Sequence, residues 1–210
     1  MTLYIGIDLS GPSNTKDTSI SIFSGDESRI CFNELIEGAS DEEIYKRFSR
    51  EKKHMVIGID APLSYQPGGG DRPGDRALRN CIKEAGMKSG SIMTPTMTRM
   101  VYLTLRGVAL SRGLAALNSS IVEVHPGAAV GLRMLDKDAV LTYKTDITSK
   151  KRINSFLERE GVLAIPEKAL ESTHSFDACL AAYAAWKWNN GKSSFIFPSN
   201  PPIHPFEIGC

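Results

Sequence analysis

The tetrapeptide Ile-Gly-Ile-Asp occurs twice, at Ile5 to Asp8 and at Ile57 to Asp60, and each copy ends a nearly unbroken apolar run. Such a run reads as a strand covered on both faces, the pattern of a central strand in a layered α/β sheet. In each copy the aspartate shares a strand face with the glycine two positions earlier. Ligands of open α/β sheets bind beyond the carboxyl ends of the strands, and a glycine beside the acid is expected to leave them room. Two such strands side by side would bring Asp8 and Asp60 together, which is unfavourable unless a cation or a proton sits between them. Mg²⁺ or Mn²⁺, taking carboxylate and water oxygens, is the natural occupant. The alternative is that each aspartate merely caps the turn that follows it.

The rest of the chain arranges itself around these strands. A Gly/Ser/Asn-rich turn at Ser10 to Thr15 leads to an alternating strand over residues 18–23, a hairpin loop at 24–28 and a third strand over 30–36. Ser40 and Glu43 have capping-box spacing and open a helix reaching about residue 53. After the strand over 55–60, residues 62–95 carry Pro67, Gly68, Gly69, Gly70 and Pro73, which predicts a long functional loop with a short helix over 76–84. A helix over 96–117 should bury Met97, Val101, Leu105 and Val108. A fifth strand over 120–124 stops before Pro126, helices follow over 127–135 and 146–160, and a last helix spans 175–188. The proline-rich tail is expected to wrap the surface. Three strands joined by short turns, followed by strands alternating with helices, predict a mixed five-stranded sheet: an antiparallel β1-β2-β3 meander, then parallel β4 and β5, with helices on both faces. A length of 210 residues suits one domain spanning 1–210, with the 62–95 loop as an insertion.

Further side chains point toward the same strand ends. Glu123 lies within the apolar run Ile121 to Val124, where a carboxylate is costly unless paired or facing a metal; a solvated face is the equal alternative. His125 shares its face and is either a substrate contact or structural. Asp177 belongs to a helix apolar nearly all round, so it is aimed at the sheet, although an acid near a helix N-terminus also has a dipole rationale. Arg99, Tyr102 and Arg106 fall on one helical face, and with Arg72, Arg76 and Arg79 they could bind phosphates; solvated surface is the competing fate of each. Lys150, Lys151 and Arg152 read as exposed helix surface.

Composition limits the partners. Net charge is +1, which argues against a strongly electrostatic nucleic-acid binder, yet the charge is uneven. Residues 1–62 hold eleven acids against seven bases, and residues 71–113 hold eight bases against three acids. Such a division suits cations held beside phosphates. The four cysteines are scattered without a C-x-x-C pair, so a cysteine zinc site or a disulfide framework finds no support. With no membrane-length apolar run and no leader pattern at its start, the chain is expected to be cytoplasmic.

Five segments together resemble the predicted ribonuclease H-fold nucleases long catalogued as a domain of unknown function. They are Gly6 to Ser10, Ile57 to Ser64, Arg76 to Cys81, Glu123 to Gly127 and His174 to Tyr183. The resemblance implies a ribonuclease H-like fold with Asp8, Asp60 and Asp177 as metal ligands and catalytic groups. Glu123 joins the catalytic candidates, and Ser10, Ser64, Arg76, Arg79, Arg99, Arg106 and His125 are the substrate-binding ones. The expected activity is hydrolysis of nucleic-acid phosphodiester bonds with Mg²⁺ or Mn²⁺, DNA or RNA undetermined. A phosphotransferase or ATPase is the alternative, with the Ser10 to Thr15 loop cradling phosphate; a silent binding module is the third. A homodimer stands among the partners considered.

Overall fold

The computed structural model describes residues 1–210. β1 (Thr2–Asp8), β2 (Ser19–Gly25) and β3 (Ile30–Glu37) form the antiparallel meander, while β4 (Met55–Asp60) runs parallel to β1 and β5 (Ser119–Val124) parallel to β4. These are the five strands anticipated, but the sheet has eight. The two-residue strands β6 (Val162–Leu163), β7 (Ile196–Phe197) and β8 (Ile208–Gly209) extend its edges, giving the order β6-β3-β2-β1-β4-β5-β8-β7. Strands this short carry no period to read. Two of them come from the proline-rich tail, which joins the sheet instead of only covering it.

Eight helices accompany the sheet: α1 (Asp41–Phe48), α2 (Pro73–Glu84), α3 (Met100–Ala115), α4 (Pro126–Gly131), α5 (Lys137–Thr142), α6 (Ile147–Arg159), α7 (Glu167–Glu171) and α8 (Thr173–Asn189). The Ser40–Glu43 capping box forms at the start of α1. Alternation along the central strands sorts two cores. Leu3, Ile5, Ile7, Met55, Ile57 and Ile59 pack with Ile44 and Phe48 of α1 and Leu110 and Leu114 of α3. On the other face Tyr4, Val56, Val122 and Val124 pack under α8, whose residues 178–185 are all buried.

The glycines of the repeated tetrapeptide serve this second face. A Cβ on Gly6 would lie 1.9 Å from the Ala178 carbonyl oxygen and 2.3 Å from the Ala182 nitrogen, and one on Gly58 would lie 2.6 Å from the Ala181 oxygen. The room beside each aspartate is therefore filled by the backbone of α8, not kept for a ligand. Three other expectations change. In α3 the inward residues are Thr104, Gly107, Leu110, Ser111 and Leu114, while Met97 and Leu105 are exposed. That helix is apolar on several sides, and its small residues mark the closely packed one. Lys150 is buried and its Nζ donates to the Leu170 carbonyl at 2.9 Å, so it is not surface. The 62–95 insertion holds a three-turn helix, α2, opened by Pro73 at its first turn. No helix is long and apolar enough to cross a membrane.

Candidate metal centre

The two tetrapeptides lie side by side in register, with Ile5 opposite Ile57, Gly6 opposite Gly58 and Asp8 opposite Asp60. Both acids stand at strand ends on the face covered by α8, and the close seat that Gly6 and Gly58 give that helix brings Asp177 to them. One ligand atom from each of Asp8, Asp60 and Asp177 lies within 4.8 Å of the other two. Burial pushes the Asp60 carboxyl well above the usual carboxylate range, and Asp8 and Asp177 add to the rise. Burial also raises Asp8, against the lowering pull of His174. Three oxygen donors under mutual repulsion are what a hard divalent cation relieves, so the residues present fit Mg²⁺ or Mn²⁺.

Three side chains not anticipated as site residues complete the cluster. The Tyr143 hydroxyl donates to Asp177 Oδ1 at 2.7 Å, and Lys144 Nζ lies 3.2 Å from Asp177 Oδ2. The His174 Nδ1 lies 2.7 Å from Asp8 Oδ2, and that hydrogen bond raises the imidazole pKa. Burial works against the Lys144 ammonium, yet Asp177 and Asp60 hold its pKa above the ordinary lysine value. His174 was legible in principle, since it precedes Asp177 by three residues and so shares its helical face. Tyr143 and Lys144 had no such signal; they follow a six-residue helix that the sequence did not declare.

The other candidates divide clearly. Glu123 is 2% exposed and stands apart from the three aspartates. Its Oε2 accepts from the Leu63 amide at 2.8 Å and from Arg72 Nη1 at 2.7 Å, and its Oε1 pairs with Arg72 Nη2. Arg72 in turn reaches Asp75 at 2.6 Å and Ser64 Oγ at 3.0 Å, and Ser64 meets His204 Nδ1 at 2.9 Å. This buried network ties the insertion, β5 and the tail together, so Glu123 and Ser64 act as scaffold there. His125 links it to the centre: its Nδ1 lies 4.0 Å from Asp60 Oδ1 and its Nε2 lies 3.9 Å from Glu123 Oε1 without a hydrogen-bond partner. Burial lowers its pKa, against Glu123.

The expected arginine face does not assemble. Arg106 is buried; its Nε donates to Asp41 at 2.8 Å and its Nη atoms to the Ser10 and Ala39 carbonyls and to Thr18 Oγ1. Arg99 precedes the first residue of α3 and is exposed. A face assigned by period alone fails here because Arg106 finds acceptors inside for its Nε and both Nη atoms. Arg79 pairs with Asp71 and donates to the Ile92 carbonyl at 2.9 Å, while Arg76 is exposed and reaches the Asp71 carbonyl at 2.9 Å. Ser10 Oγ lies 2.7 Å from the Asn14 carbonyl and 2.8 Å from Thr18 Oγ1.

Two cavities meet at the centre. One of about 350 Å³ is lined by Asp60, His125, Ser91, Lys88, Tyr143 and Lys144 among others, and one of about 200 Å³ by Asp8, Asp60, Ser91, Met93 and His125. Asp60, Ser91 and His125 border both, so the acids look into concave space from two sides. No curated protein and no solved structure matches the chain. Residues 6–202, taking in the end of β1, the strands β2 to β7 and every group of the centre, match the family described as "Protein of unknown function (DUF429)", and the chain belongs to that family.

Proposed function

We propose that the chain is a metal-dependent nuclease of ribonuclease H-like fold that hydrolyses phosphodiester bonds of nucleic acid. The observation that carries this reading is the convergence of Asp8, Asp60 and Asp177 within 4.8 Å at the ends of two paired parallel strands. The run β3-β2-β1-β4-β5, a meander followed by two parallel strands, supports the fold assignment. When bound, Mg²⁺ or Mn²⁺ supplies a Lewis acid that activates water and neutralises charge on phosphate oxygens. The chain's own work is to hold and surround that chemistry. Asp8, Asp60 and Asp177 present oxygens from three elements, Tyr143 and Lys144 orient Asp177, and His174 orients Asp8. Lys144 and Lys88 bring positive charge to the larger cavity, where the scissile phosphate would lie against Asp60. His125 borders both cavities with its Nδ1 4.0 Å from Asp60 Oδ1, which sets the imidazole beside the place the substrate would take.

The phosphotransferase alternative draws less support. The Ser10 hydroxyl and amide are bonded within the loop to Asn14 and Thr18, and the Ser10 carbonyl is held by Arg106, so the loop offers no open phosphate cradle there. The test is purified protein with Mg²⁺ or Mn²⁺ against single- and double-stranded DNA and RNA, with nucleoside triphosphates in parallel. Cleavage of a nucleic acid, abolished by chelator and by Asp8→Asn or Asp60→Asn in folded variants, is expected. Wild-type activity in both variants would refute the site, and triphosphate turnover without cleavage would replace the nuclease by the phosphotransferase.

A further inference from the structure

The centre already contains a cation of its own. Lys144 Nζ lies 3.2 Å from Asp177 Oδ2, the Tyr143 hydroxyl occupies Asp177 Oδ1, and His174 Nδ1 occupies Asp8 Oδ2. Donors of this chain thus engage both oxygens of Asp177 and one of Asp8. Asp60 is different: His125 Nδ1 stands 4.0 Å from it, beyond hydrogen-bonding reach. The lone pairs most open to an external ion are therefore those of Asp60 and Asp8 Oδ1. Charge points the same way. Three carboxylates and one ammonium leave at most two negative charges, enough to complement one divalent ion and not two. A second divalent ion would have to share Asp177 with the ammonium that repels it.

We propose that the Lys144 ammonium stands in the place of a second cation, so that the centre holds one divalent ion. This rests on the metal centre of the preceding reading and adds its stoichiometry and the role of Lys144. The side chain is 58% exposed and lines the larger cavity beside Asp60, so the same ammonium faces an incoming phosphate. Its backbone carbonyl accepts from Thr173 Oγ1 at 2.9 Å, a bond that side-chain substitution leaves intact.

The experiment is Mn²⁺ titration by calorimetry and by the paramagnetic resonance of free Mn²⁺, on wild type, Lys144→Met, Lys144→Arg and Asp60→Asn, each checked for folding by circular dichroism. Wild type should bind one ion, and Asp60→Asn should lose or greatly weaken that binding, which locates it. With water-like screening over a few ångströms, a single and a double positive charge repel by roughly 1.4 kcal/mol, so Lys144→Met should bind Mn²⁺ about tenfold tighter. Lys144→Arg, which keeps the charge, should bind as wild type does. Two ions in the wild type, or no tightening in Lys144→Met, would overturn the inference and leave the metal centre standing. No Mn²⁺ bound by the wild type would overturn both.

Discussion

Replacing Asp60 by Asn should stabilise the cation-free protein and blunt its response to Mn²⁺. Asp60 faces Asp8 and Asp177 with ligand atoms inside 4.8 Å, and its side chain is 24% exposed. Two like unit charges about 4 Å apart repel by ~1 kcal/mol in water and ~4 kcal/mol at an effective dielectric of ~20. Asp60 is partly open to water, whose screening puts the relief on substitution near the lower end, about 1–2 kcal/mol. For a domain of this size that is a rise of roughly 2–8 °C in melting temperature. Mn²⁺ at a hundredfold excess over its Kd adds about 2.7 kcal/mol to the wild type, or roughly 5–10 °C. The variant, short of its most open ligand, should respond by less than half as much. An aspartate that only capped a turn would behave in the opposite way: its loss would cost about 1 kcal/mol and leave the metal response untouched. Four melting curves decide it, wild type and Asp60→Asn, each in EDTA and in millimolar Mn²⁺. Equal shifts in the two proteins, or a variant that melts below the wild type in EDTA, would refute the shared-cation argument.

Three further outcomes follow from the same structure. Asp8 and Asp60 have raised folded-state pKa values, so their contribution is fully present below the unfolded value and is lost as pH climbs through the folded ones; His174, also raised, has the same sign. In EDTA the wild type should therefore lose melting temperature relative to Asp8→Asn as pH rises above the unfolded histidine value of 6.5 toward about 8, because the substitution removes the carboxylate that holds the His174 proton; identical slopes would remove these groups from the explanation. Arg72→Met strands the buried carboxylates of Glu123 and Asp75 and should cost ~3–5 kcal/mol by urea denaturation. Arg72→Lys should rescue little of this, because one ammonium cannot reproduce the fork that meets both acids, and full rescue would contradict it. Gly6→Ala drives a methyl into the α8 backbone and should cost ~3 kcal/mol or more, with a melting temperature lower by roughly 6–12 °C; a wild-type melting temperature would show that α8 does not pack as described.

What the sequence determined by itself is what depends on neighbours along the chain. The runs at 3–8 and 55–60 declared two covered central strands, Ser40 and Glu43 declared a helix start, and the uniformly apolar α8 declared its own burial. The repeated tetrapeptide also placed two aspartates at matching strand ends. Only the tertiary structure decided what those features meet. Register set Asp8 against Asp60, and the docking of α8 over Gly6 and Gly58 brought Asp177 across from a distant part of the chain. The same long-range packing withdrew Glu123 into an ion pair with Arg72 and Arg106 into a nest of internal acceptors. It also delivered Tyr143 and Lys144 to the acids from just beyond a short helix, and added three strands of two residues each to the two sides of the sheet. A period of 2 or 3.6 residues reports which side of an element is apolar. The partner waiting for a polar group on that side belongs to another segment, and no local pattern encodes it.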